Sequence, residues 1–235
     1  RDLQGRPPAA APDYPVPFLI RAMDEDDPEA RMCALVALCR STAAEAGAAL
    51  IRASRDPNER VRFHLAANLG TSPNPAALAA CENLLKERRG PVAATAIRTA
   101  ADGRFASLAP ELERLAYETD PVGCRLVFST LLRLEGMAFA TFARDYLRSA
   151  SPECKRQLLR RLAEGALPPP MGGLVELMVN PDTGPENRAL AATALTAFSG
   201  QDHGYDGNAW ASWWAAAAPD WHIRRCLVVV HVADL

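Results

Sequence analysis

Asp56-Pro57-Asn58-Glu59-Arg60-Val61-Arg62-Phe63-His64-Leu65-Ala66-Ala67-Asn68-Leu69-Gly70 decides the fold of this chain. An aspartate side chain accepts amide hydrogens that a first helical turn leaves unpaired, and the proline after it has no amide to leave unpaired and a preset φ. Val61, Leu65 and Leu69 then fall four apart, one apolar stripe on one helix face. The same marks return in Asp27-Pro28 with Arg31 and Leu38, in Asp120-Pro121 with Arg125 and Leu132, and in Ser151-Pro152 with Lys155 and Leu162. From Pro28 through Pro57, Pro91, Pro121 and Pro152 to Pro181 the intervals are 29, 34, 30, 31 and 29 residues, the period of a stacked array.

Helix stops recur in step. Gly70, Gly103, Gly136, Gly165 and Gly200 each end a helix-length stretch, where a left-handed residue is expected. Between each stop and the next start lies a second apolar-periodic segment, such as Pro75 to Glu87, Ala106 to Glu118 and Ala138 to Ser149. One unit is therefore a pair of antiparallel helices, and six pairs are expected at about 14–42, 43–70, 74–103, 105–136, 137–165 and 170–200. The third pair departs from the pattern, with Gly90 as its cap and Ala94 in the cation's place. The sixth start lies at either Asn180-Pro181 or Gly184-Pro185.

Composition agrees with an all-α chain. Its 235 residues are 49% hydrophobic but only 6% aromatic, so an interior of small side chains and close helix contacts is expected, with alanine as the best helix former. The net charge of -2 gives no broad attractive field for a phosphate backbone, so no nucleic-acid partner is expected. The six cysteines form no CxxC pair and sit mostly in apolar helical stretches, which reads as reduced thiols in a cytoplasmic protein. No stretch approaches the ~18 apolar residues of a membrane span. Residues 1–13 have the composition of a linker or extended segment.

The run from Asp56 through Val61-Arg62 to Ala66-Ala67-Asn68-Leu69-Gly70 resembles HEAT-like repeats of the bilin-lyase type, whose consensus is an aspartate, then Val-Arg, then Ala-Ala-x-Leu-Gly. The resemblance covers about residues 14–200 and implies an α-solenoid of about six HEAT-like helical hairpins. In such arrays the aspartate and arginine of adjoining units pair. It therefore implies a structural ladder from Asp27, Arg31, Asp56, Arg62, Asp120 and Arg125, with a ligand-facing row of cations as the alternative. Lys155, Arg156, Arg160 and Arg161 crowd four cations into seven residues. Not all of them are expected to be braced, which leaves a basic patch and a protein partner with an acidic surface.

After Gly200 the period breaks. Gln201-Asp202-His203-Gly204-Tyr205-Asp206, then Trp210, Trp213 and Trp214, resembles an ending found after HEAT-like arrays in GC-rich bacteria. At helical spacing the three tryptophans form one broad aromatic face, and Asp206 is the cap. Residues 201–235 are accordingly expected to be a Trp-rich terminal cap and tail covering the open end of the array, with a ligand-binding face as the sharper alternative. His222 and Cys226 lie four apart, but no third ligand has fixed spacing, so neither a metal nor another cofactor is expected. Leu227 to Val232 is β-branched, unlike the rest.

The sequence holds no Gly-rich phosphate loop, nucleophile elbow or HExxH motif. The function expected is a non-enzymatic scaffold or adaptor for another protein. The repeat type also implies two alternatives, a bilin-lyase-like enzyme subunit and a HEAT-like DNA-binding or repair protein.

Overall fold

The computed structural model describes residues 14–118 and 121–221. Among them the chain is all-α, with thirteen α-helices and no strand. It divides into two compact units, 1–108 and 109–235.

In the first unit, α1 (Val16–Ala22) pairs with α2 (Pro28–Leu38), α3 (Ala44–Ala53) with α4 (Glu59–Leu69), and α5 (Ala77–Leu85) with α6 (Gly90–Asp102). Helices also pack on the next but one, α1 on α3 and α3 on α5 in one row, α2 on α4 and α4 on α6 in the other. The core follows the alanine-rich composition: Ala46, Ala49, Ala66, Ala80, Ala93 and Ala96 are buried beside Leu35, Leu50, Leu65 and Leu84.

The second unit holds α7 (Ala109–Ala116) and α8 (Pro121–Glu135), α9 (Phe139–Ser149) and α10 (Pro152–Ala163), α11 (Met171–Val179) and α12 (Pro185–Ser199), then α13 (Gly207–Ala217). Its rows run α9, α11, α13 and α8, α10, α12. Each of the six intervals read from the sequence thus holds two helices. Here the interior differs from the small-residue expectation, because Phe128, Phe139, Phe142, Tyr146 and Trp210 are all buried. A low aromatic fraction averaged over the chain concealed their concentration in one unit.

The caps of α2, α10 and α13 follow local chemistry, while α6 begins at Gly90 itself, with Arg89 and not Gly90 in the cap position. Asp27 accepts from the Glu29 amide, Ser151 from the Cys154 amide, and Asp206 from the amides of Asn208 and Ala209. The sixth pair starts at Pro185 with Gly184 as its cap, not at Pro181. Asp56, however, is not the cap of α4; Asn58 is, accepting from the Arg60 amide at 2.9 Å. Asp56 accepts from the Asn58 amide at 2.8 Å and takes a two-pronged contact from Arg31 at 2.9 and 3.1 Å. Losing the Asn58 cap should cost about 1 kcal/mol. Asp56→Ala should lower the urea midpoint further than Asn58→Ala, because it strands the Arg31 guanidinium as well as opening the turn. Equal midpoints would show that Asp56 acts only in the turn.

The glycine stops also divide. Gly200 closes α12 in the left-handed conformation at φ 71°. Gly70 and Gly103 are right-handed, against expectation, and their role is space: a Cβ on Gly103 would lie 2.5 Å from the Phe105 ring. After α6 the left-handed residue is Arg104, at φ 53°.

Candidate functional site

The ladder cations brace loops and join hairpins. The Arg31 guanidinium donates to the carbonyls of Glu25 and Asp26, ahead of its own helix, and reaches Asp56 twenty-five residues on. Arg62 repeats the arrangement, donating to the carbonyls of Asp56 and Pro57 and, at 2.6 Å, to Glu87, also twenty-five residues on. The acid after Asp56 in this ladder is thus a glutamate. Asp27 serves as a cap, not as the partner of Arg31, and Arg125 is exposed while Asp120 lies outside the described residues.

The basic cluster is braced throughout, contrary to expectation. Arg156 pairs with Glu153 and lies 3.1 Å from Glu186 of α12, Arg160 reaches the same Glu186, and Arg161 pairs with Glu164. Lys155 donates to the Arg148 carbonyl. Two of these acids stand three residues from their arginine, and the third arrives from the neighbouring hairpin. No unmatched basic patch remains on this helix to attract an acidic surface.

The tryptophan helix docks rather than displaying one aromatic face. Trp210 is fully buried, its indole N–H donates to the Gly204 carbonyl at 3.0 Å, and its ring meets His203 and Trp213 edge-on. Gly207 permits the approach to α11, since a Cβ there would lie 2.5 Å from the Met178 carbonyl oxygen. Trp213 and Trp214 are half-buried, packed against Trp221. His222, Cys226, His231 and the β-branched run lie outside the described residues. Among the described residues no cluster of metal-binding side chains occurs, and no helix is long and apolar enough to cross a membrane.

A different place gathers unmatched charge. In the second unit α7, the end of α8 and α9 enclose a cleft of about 520 Å³ lined by Glu113, Glu135, Asp145, Tyr117 and Phe142. Burial, and then Asp145, push the Glu113 carboxyl above its ordinary value. Burial, and then Glu113, do the same to Glu135. Buried Oε2 of Glu135 has no hydrogen-bond partner. Arg114, also at the cleft, is committed to Glu111 and Glu118, and Arg148 lies 3.9 Å from Asp145 but binds Glu176 at 2.6 Å. Among the described residues no cation pairs with Glu113 or Glu135.

Desolvated carboxylates held together favour an arriving cation, and aromatic walls suit the apolar stem or the charge of such a group. Nothing in the sequence marks this site, because its three acids come from three helices with no fixed spacing. No protein-family model matches the chain, and no curated protein matches it.

Proposed function

We propose that this chain is a HEAT-like α-solenoid that serves as a non-enzymatic binding module for another protein, and that the cleft of the second unit receives a lysine or arginine side chain of that partner. The observation that carries this reading is the uncompensated pair Glu113 and Glu135, held in a cleft walled by Tyr117 and Phe142. Two partly buried carboxylates lining one cleft without a cation oppose folding, and a ligand cation relieves them. The partner's contact segment is basic, the reverse of the acidic partner suggested by the Lys155 to Arg161 run, whose three arginines are paired with acids within the fold.

Hexalysine and hexaglutamate peptides test the reading by calorimetric titration of the whole chain. Hexalysine should bind, more weakly as salt is raised, and hexaglutamate should not. Glu113→Gln/Glu135→Gln should weaken hexalysine binding at least about tenfold, equivalent to one buried charge contact of about 1.4 kcal/mol. Hexalysine binding unchanged in the double variant, or absent from the native chain, would rule the cleft out.

The same pair sets a pH dependence. Both carboxyls have folded pKa values raised above the ordinary 4.5, so their contribution to stability is full below pH 4.5 and is lost as pH rises through the raised folded values. The double glutamine variant should therefore be more stable than the native chain near neutral pH, by about 0.2–1 kcal/mol as for charges in contact with solvent. The advantage should vanish at acid pH. Melting curves across pH check it; a variant less stable at pH 7 would contradict it.

A further inference from the structure

Two thiols from consecutive hairpins of the second unit lie at successive carbonyls, the first of which also receives a buried phenol. Tyr146 of α9 is fully buried and its hydroxyl donates to the Ala116 carbonyl at 2.7 Å. Cys124 of α8 is buried, with Sγ 3.5 Å from that same carbonyl oxygen. Cys154 of α10 is partly exposed, with Sγ 4.0 Å from the next carbonyl, that of Tyr117. The Tyr146 hydroxyl and the Cys124 thiol thus share the Ala116 carbonyl, and burial first, then the neighbouring cysteines, hold the phenol well above its ordinary pKa, so that it remains a donor. The two helices that carry the sulfurs pack directly on one another.

We propose that Cys124 and Cys154 are a redox pair that closes to a disulfide between α8 and α10 and, in closing, shifts the aromatic wall of the cleft. A small disulfide such as oxidised glutathione is the oxidant. The partly exposed Cys154 sulfur, as thiolate, attacks one sulfur of the oxidant, forming a mixed disulfide and releasing one thiolate, which takes up the Cys154 proton. The Cys124 sulfur then attacks the Cys154 sulfur and displaces the second small thiolate, to which the Cys124 proton passes. The two cysteines lose two electrons and two protons, and one oxidant disulfide becomes two thiols.

The link to the cleft is direct. The Tyr146 ring lies 4.6 Å from Tyr117 and 5.6 Å from Phe142, both of which line the cleft, and Tyr117 also carries the carbonyl beside Cys154. Drawing the sulfurs together moves the Cys124 sulfur off the Ala116 carbonyl that it shares with the Tyr146 hydroxyl, and with it the packing that holds Tyr146 at that carbonyl. The consequence for ligand binding rests on the cationic-ligand reading of the cleft, but neither readout below involves a ligand.

The full chain carrying Cys33→Ser and Cys226→Ser is treated with oxidised glutathione, alkylated and mapped by mass spectrometry, with deuterium exchange followed in parallel. Cys39 and Cys81 remain as internal controls, their thiols buried and pushed up to about 12. The expected result is a peptide pair joined through Cys124 and Cys154, released by dithiothreitol, with exchange in residues 139–149 faster by at least about threefold once the Tyr146 bond is lost. Adding Cys154→Ser should abolish both changes. Cys124→Ala should leave Cys154 as a stable mixed disulfide. A native chain in which Cys154 stops at the mixed disulfide, or does not react, overturns the pair. A crosslink with unchanged exchange in 139–149 overturns its coupling to the cleft.

Discussion

Trp210→Ala should destabilise the second unit by about 3–5 kcal/mol, the cost of emptying a fully buried aromatic site. The indole fills the space between α13 and the 203–206 turn, and its N–H pairs with the Gly204 carbonyl, so truncation opens a cavity and orphans an acceptor together. Trp210→Phe separates the two contributions: it keeps most of the bulk and loses the hydrogen bond, worth about 1 kcal/mol. Urea unfolding followed by the fluorescence of the remaining tryptophans reads both variants. A loss below about 1 kcal/mol for the alanine variant would mean that α13 is not part of the cooperative core, and the terminal-cap reading would fail with it.

Leu69→Ala should cost about 2–5 kcal/mol in the first unit. Leu69 is fully buried at the end of α4, which packs on α6, where Ala93, Ala96 and Ala100 are buried. Thr99 donates to the Ala66 carbonyl at 2.6 Å, tying α6 to α4. Chemical denaturation checks it, with Asn58→Ala as the local comparison. Equal losses from the two would mean that the apolar stripe Val61, Leu65, Leu69 does not face the core.

What could be read from the sequence was whatever is decided within about one helical turn. The starts after Asp27, Ser151 and Asp206 are set by a side chain and the amides two or three residues on, and all three were legible. Asp56 was misread as a cap because Arg31, twenty-five residues upstream, competes for its oxygens, a pairing of adjoining units that only the resemblance to HEAT-like arrays implied. Gly70 and Gly103 were misread for the same kind of reason, since one makes room for Asp102 and the other for Phe105, not for a left-handed turn. For the basic run, Glu153 and Glu164 stand close enough in sequence to have been counted, while Glu186 comes from the next hairpin. The cleft lay wholly beyond such reading. Glu113, Glu135 and Asp145 share no helix, and only packing brings their charges within reach of one another.

The arginine stitches of the first unit bear on how it comes apart. Arg31 holds the approach to α2 and the approach to α4 in one guanidinium, and Arg62 does the same for α4 and α6. The α1–α2 hairpin opening alone would break Arg31–Asp56 and the exposed pairs Arg52–Asp24 and Arg60–Glu29, and the α5–α6 hairpin would break Arg62–Glu87, whereas the middle hairpin would break all four. The unit therefore unzips from its margins inward, and its α3–α4 hairpin is the last to breathe.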